Sequence, residues 1–191
     1  MTHGEIDPSC AVAHGGPDNI PSADAIAHGA PAPADAARVL VAVFDSPVAR
    51  YLLRYGADCG FRAVLLDPDA DRAAAAAAPD GTVGFTVVRE AANIDPAADV
   101  VVTDHHRPEL DTIVRDLLAG KARWIGVMGN PRHPAPYIPA LIGFGLPEED
   151  IARVHRPVGL NIGSRTPPEI ALSTLAGLIA DRNGRPGGFG F

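Results

Sequence analysis

Alternating apolar and amphipathic stretches predict an α/β domain for this chain, doubly wound about a mostly parallel sheet. Three observations carry that expectation. Short, uninterrupted apolar runs recur through residues 38–128, as strands covered on both faces require. Segments with helical apolar spacing lie between them. Each run also ends in a polar cluster, and an open parallel sheet binds its ligands beyond the carboxyl ends of its strands.

The elements follow in order. Arg38 to Phe44 is the first strand. Pro47 to Cys59 reads as a helix with Ser46 as N-cap and Pro47 at the first helical position. Val48, Leu52, Tyr55 and Cys59 form its expected inner face, and Gly60 ends it. Ala63 to Leu66 is a second strand, stopped by Asp67-Pro68. Asp71 to Ala78 is a short Ala-rich helix closed by Pro79, and Val83 to Val88 a third strand. Asp99 to Thr103 and Arg123 to Met128 are the fourth and fifth. Between them, Pro108 to Ala119 places Leu110, Ile113, Val114 and Leu117 at helical spacing. The expected ligand edge therefore holds Asp45-Ser46, Asp67-Pro68-Asp69, Asp104-His105-His106 and Gly129-Asn130-Pro131-Arg132.

Composition bounds the function. The 191 residues are 47% apolar and 20% charged, with formal net charge −7, so a core is expected and a basic nucleic-acid surface is not. Cys10 and Cys59 are the two cysteines, too few for a disulfide framework or a Cys-type zinc site. No apolar run approaches the length of a membrane span, and the start shows no secretory signal; a soluble cytoplasmic protein is expected. Residues 1–37 lack Lys and Arg but hold Glu5, Asp7, Asp18, Asp24 and Asp35. Rich in Ala, Pro and Gly and without period, they read as a flexible acidic arm. The folded body is expected over 38–185, with a short tail over 186–191.

The loop after the first strand, Phe44-Asp45-Ser46-Pro47-Val48-Ala49, has no glycine. A dinucleotide site needs glycines there so that backbone can approach the pyrophosphate. Asp67 lies where a ribose-binding acid would be expected, but with the glycines missing an Asp-Pro turn at a strand end explains it better. The chain instead offers an anion site further on. Gly159, Asn161, Gly163, Ser164 and Arg165 lead into Thr166-Pro167-Pro168-Glu169, a capped helix start that runs on through Ile170, Leu172, Leu175, Leu178 and Ile179 to Gly184. A helix N-terminus beside an arginine suits a phosphate or carboxylate. Gly129, Asn130 and Arg132 form a second, weaker cradle.

The segments Trp124-Ile125-Gly126-Val127-Met128-Gly129-Asn130-Pro131-Arg132 and Pro157-Val158-Gly159-Leu160-Asn161-Ile162-Gly163-Ser164-Arg165-Thr166-Pro167-Pro168-Glu169-Ile170-Ala171-Leu172-Ser173 resemble the Rossmann domain of the XdhC/CoxI family, accessory proteins for molybdenum hydroxylases such as xanthine dehydrogenase. Gly60-Phe61, Asp67-Pro68 and the strand ending at Thr103 also fit, so the resemblance spans about residues 38–182. It implies a Rossmann-like fold and a non-enzymatic role: binding the molybdenum cofactor, an anionic pterin phosphate, and handing it to an apo molybdenum hydroxylase of xanthine dehydrogenase or CO dehydrogenase type. A sulfurtransferase partner and a homodimer fit the same implication. On it, Arg165 and Arg132 supply charge, and Gly129, Asn130, Gly159, Gly163, Ser164 and Thr166 supply close contacts. Asn161, Asp104 and His105 orient the pterin or its metal end. The sequence departs from the family pattern in four places. Asp45-Ser46 replaces a Gly-Ala-Gly, Asp69 replaces an Arg, and Asp104-His105-His106 replaces a His-Asp. Gly129-Asn130-Pro131 replaces a Gly-Ser-Arg.

Two rivals use the same edge. Val100 to His106 resembles the Asp-His-His signature of the DHH phosphoesterases, and Asp45, Asp67, Asp104, His105 and His106 would then be metal ligands. A diverged NAD(P)-dependent oxidoreductase would draw its general acid from His105, His106, His133, His155 or a tyrosine.

Overall fold

The computed structural model describes residues 38–77, 84–120, 122–130 and 132–188. The expected arm and the last three residues lie outside these. Six strands form one parallel sheet in the order β3-β2-β1-β4-β5-β6. They are β1 (Val39–Val43), β2 (Arg62–Leu66), β3 (Thr86–Val88), β4 (Asp99–Val102), β5 (Trp124–Val127) and β6 (Val154–His155). Strand order reverses beside β1, so the switch point falls between β1 and β4. Every β1 residue is buried, which is why that segment reads as a continuous apolar run with no alternation.

Two helical layers flank the sheet. The helices α1 (Pro47–Asp58), α2 (Ala70–Ala77) and α6 (Pro167–Arg182) contribute Leu52, Leu53, Ala76, Leu175 and Leu178 to a core that includes Leu40, Ala42, Leu65 and Val101. The opposite face, with Val39, Val41, Val43, Val100 and Val102, meets Leu110, Ile113, Val114, Leu117, Leu141 and Ile151. Those residues lie on α3 (Leu110–Ala119), α4 (Ile138–Gly143) and α5 (Glu148–Ile151).

Several expectations shift. Of the expected inner face of α1, Leu52 is buried and Val48 and Tyr55 pack partly buried against the core, joined by Ala49, Leu53 and Gly56, while Cys59 is exposed. A Cβ on Gly56 would lie 2.4 Å from Leu40 Cδ2, so at that point the helix comes too near the sheet for a side chain. On α6, Leu172 is 55% exposed, and the helix buries Ala171, Ser173, Thr174, Leu175 and Leu178. The third strand is seen over Thr86–Val88, Val83 lying outside the described residues. The elements α4, α5 and β6 carry too few residues to show a period.

The register aligns the strand ends. Val43 pairs with both Leu66 and Val102, and Val102 with Val127, so the residues after these strands share one edge. At the far end of the sheet, the buried Asp99 is gripped by Arg123 and by Arg182 in the last turn of α6. That contact runs α6 antiparallel to the strands and turns its first turn toward the carboxyl edge.

Asp67 ties that edge together. Its carboxylate is fully buried and accepts the Asp45 N–H at 2.9 Å and the Asp69 N–H at 3.1 Å. The Arg107 guanidinium reaches both of its oxygens, at 3.3 and 3.4 Å, and also bonds Glu109. Burial works against the charge on Arg107, but hydrogen bonds to Glu109 and Asp67 prevail and raise its pKa. Removing one member of a buried pair strands the other charge, so Asp67→Ala is expected to cost roughly 3–5 kcal/mol. The check is a lower urea midpoint at unchanged m-value.

Candidate functional site

The switch-point crevice begins at the end of β1. Phe44 holds a left-handed backbone, φ 70°, which costs an L-residue roughly 1–2 kcal/mol. Its ring is buried in the core and lies 4.7 Å beneath the Arg107 guanidinium. The turn beyond it has little to offer a phosphate. The Asp45 N–H belongs to Asp67, Pro47 has none, and the Ala49 N–H goes to Ser46 Oγ at 3.0 Å. Ser46 Oγ also meets Thr103 Oγ1 at 2.9 Å, closing β1 onto β4. The Asp45 carboxylate takes a two-pronged bond from Arg50. The missing glycine loop is thus replaced by a self-satisfied polar plug.

The same geometry disfavours the metal-site alternative. Asp67 serves Arg107 and Asp45 serves Arg50, and Asp104 Oδ1 accepts the His106 N–H at 2.9 Å. His105 and His106 stack on each other, ring centres 4.1 Å apart. Among the described residues no group of three His, Cys, Asp or Glu side chains is placed to hold a metal ion. Asp67 makes the expected Asp-Pro turn, accepting the Asp69 N–H, and is at the same time committed to Arg107.

The first turn of α6 also departs from expectation. Pro167 and Pro168 occupy its first two positions and have no N–H to offer. Thr166 and Glu169 form the reciprocal capping box. The Glu169 carboxylate accepts the Arg165 and Thr166 N–H groups at 2.8 and 3.1 Å, and those bonds lower its pKa. The donors expected to hold an anion are used internally. What remains open is the segment before the helix: Asn161, Gly163 and Arg165 are exposed and Ser164 half-exposed.

The glycines divide by role. Gly159 adopts φ +87°, and a Cβ there would come within 3.0 Å of Ser173 Oγ and of the Thr174 nitrogen. It is where the loop crosses α6, pinned by the Leu160 N–H to the Ser173 carbonyl. Gly163, at φ +68°, has nothing within 4 Å. Gly129 lies against Arg156, whose guanidinium nitrogens would stand 2.5 and 2.7 Å from a Cβ. Asn130 shapes its own loop, its Oδ1 accepting the Arg132 N–H, while Arg132 points to solvent.

Sequence reasoning missed Arg107 and Arg156. Arg107 directly follows the singled-out Asp104-His105-His106, and only its buried partner Asp67, forty positions away, reveals its use. Arg156 follows the two-residue β6, which carries no legible period. It donates to the His133 carbonyl at 2.7 Å and the Asn130 carbonyl at 3.2 Å. His105, half-buried, has its pKa lowered by burial, then by His106 and Arg156, with Asp104 opposing. A cleft of about 340 Å³ lies elsewhere, beside the turn at Ala92–Asp95; no candidate residue lines it.

Comparison with known proteins places this architecture. The model of the XdhC Rossmann domain matches residues 40–178. The chain belongs to the XdhC family. An uncharacterized protein of Escherichia coli K12, YqeB, is 37% identical over 106 residues, covering 54% of this chain and 19% of YqeB. A crystal structure of a xanthine dehydrogenase from Bacillus halodurans superposes with TM-score 0.60 at 23% identity, over 78% of this chain and 45% of that one. The chain thus spans less than half the length of either relative. The XdhC domain here has its β1 turn closed by its own side chains and its bases displaced toward β5, β6 and the approach to α6.

Two outcomes follow for the XdhC loop. Gly159→Ala and Gly163→Ala both meet the left-handed backbone cost of about 1 kcal/mol, but only Gly159→Ala adds a collision. It should unfold at clearly lower urea than Gly163→Ala. For Glu169, a lowered pKa means its stabilisation is full above the ordinary glutamate range and fades as pH falls through it. The Tm gap between the parent protein and Glu169→Gln, by calorimetry, should be widest near neutrality and close in acid.

Proposed function

We propose that this chain is an accessory protein of molybdenum-hydroxylase maturation. It binds the molybdenum cofactor, shields it and passes it to an apo-hydroxylase of xanthine dehydrogenase or CO dehydrogenase type. The observation that carries this reading is the XdhC domain match, which extends over residues 40–178 and so over nearly all of the described fold.

The site chemistry supports it. The cofactor is an anionic pterin phosphate, and the approach to α6 and the β5 loop present Arg165 and Arg132 exposed, with no ion-pair partner among the described residues. Asn161 and Ser164 offer polar groups beside the open backbone of Gly163, while Asp104 and His105 face the same edge of the sheet. Gly129, Asn130, Gly159 and Thr166 contribute by shaping and pinning the loops. Once delivered, the cofactor would supply the hydroxylase with its redox-active metal; the chain's own residues bind it, orient it and limit its contact with water. The closed β1 turn disfavours a dinucleotide there, since its backbone donors are already taken. A sulfurtransferase and a second copy of the chain are further partners within this proposal.

The test is purification from cells that make the cofactor, followed by oxidation to a fluorescent pterin and quantification. The parent protein is expected to carry pterin and the Arg132→Glu/Arg165→Glu double variant several-fold less. A parent protein free of pterin, where a known carrier scores positive, defeats the reading.

A further inference from the structure

One flank of the sheet carries a cleft that the carrier reading does not use. Residues two apart on a strand point to the same side. Val39 and Val41, Arg62 and Val64, and Thr86 and Val88 thus share one face of β1, β2 and β3, and all of them line the cleft. The register sets Val39 beside Arg62, Val41 beside Val64, and Val64 beside Thr86. A crossover helix, about 10 Å across, normally covers such a face by reaching over two strands about 5 Å apart. Here the connection 89–98 from β3 to β4 holds only a single 3-10 turn, Ala91–Asn93. Ala91, Ala98 and Ile94 pack onto the sheet. The strip beside them stays open as a cleft of about 340 Å³, a volume that suits a small molecule.

The bed of this cleft is aliphatic and its rim carries one charge of each sign. Arg62 and Asp95 are each about half exposed and meet through a single long contact, Nη2 to Oδ2 at 3.4 Å. That contact leaves most of the N–H donors of Arg62 unused. Asp95 is held in place by the Ala97 N–H, which its Oδ1 accepts at 2.9 Å. Among the described residues the remaining guanidinium nitrogens, the Asn93 amide and the Thr86 hydroxyl have no hydrogen-bond partner. A doubly negative guest such as phosphate would meet Asp95 as a like charge. A guest with its own positive and negative groups side by side meets both residues favourably.

We infer that the cleft binds a small apolar α-amino acid. Its carboxylate lies on Arg62, its ammonium on Asp95 and its aliphatic side chain on Val41, Val64 and Val88. The planar fork of arginine matches the two oxygens of a carboxylate, and a carboxylate is the natural acceptor for an ammonium. The site goes beyond the carrier reading and does not rest on it, since none of the residues assigned to the cofactor lines this cleft.

Methyl NMR of the full chain tests it, in titrations with leucine, with isocaproate (no ammonium) and with isoamylamine (no carboxylate). Leucine is expected to saturate at roughly millimolar concentration or below, as suits so few ligand atoms. Its shifts should fall on the methyls of Val41, Val64 and Val88. Each mimic forfeits one charged contact and should bind about tenfold more weakly. Arg62→Gln should erase the preference for leucine over isoamylamine, and Asp95→Asn the preference over isocaproate. A merely structural role for the pair would not give that crossed pattern. Ala92→Trp, at an exposed position lining the cleft, should fill it and abolish binding. If a rim variant unfolds by circular dichroism, Ala92→Trp decides: saturable shifts that survive in it overturn the site. Absence of saturable shifts, equal binding of leucine and both mimics, or shifts centred on methyls outside the cleft overturns the inference. The two proposals fail separately. Pterin-free protein that binds leucine defeats only the carrier reading, and pterin-loaded protein that ignores leucine defeats only this site.

Discussion

A single buried carboxylate organises the working edge of this domain. Asp67 ends β2, yet its oxygens hold the β1 turn through the Asp45 N–H and the β4 loop through Arg107. Three strand ends are therefore tied to one carboxylate. In a low-dielectric interior neither charge is tolerable without the other, so the pair fixes the relative position of the loops more firmly than apolar packing could. Apolar contacts tolerate sliding. Paired charges with defined hydrogen-bond directions do not.

That clamp also explains why the crevice differs from a nucleotide fold. A phosphate cradle at the end of β1 needs free backbone N–H groups and room for close approach. Here the N–H groups are consumed by Asp67 and Ser46, and the room is taken by Phe44 in a left-handed turn with its ring beneath Arg107. The strain at Phe44 is offset by burial of its ring and by the cation above it. With the first turn closed, positive charge stands instead three strand positions along the sheet, at Arg156 after β6, and on the loop leading to α6.

The α6 start shows how one sequence signal supports two incompatible expectations. Thr166-Pro167-Pro168-Glu169 marks the helix beginning correctly, because the same residues that announce a cap do in fact cap it. For the same reason the donors of the cap are not open to an anion, which leaves the exposed residues before it, Asn161, Gly163 and Arg165. Each donor the cap satisfies is a donor lost to a ligand, and the two prolines remove two more.

Apolar runs and helical spacing were enough to read the parallel sheet and its main helices, because strands buried on both faces must be continuously apolar and bundled helices must be periodic. Local turn chemistry marked the starts of α1 and α6, where Ser46 and Thr166 act within four residues of themselves. The resemblance carried by residues 157–173 likewise needed only a contiguous stretch. What lay outside that reach was pairing at a distance: Asp67 with Arg107, Asp99 with Arg123 and Arg182, Arg156 with the carbonyls of Asn130 and His133. It also missed close packing by absent side chains, as at Gly56 and Gly159. Local order is written in neighbouring residues and can be read from them. Which charge meets which, and which donors stay open, depends on the register of strands distant in sequence, and only the folded arrangement decides it.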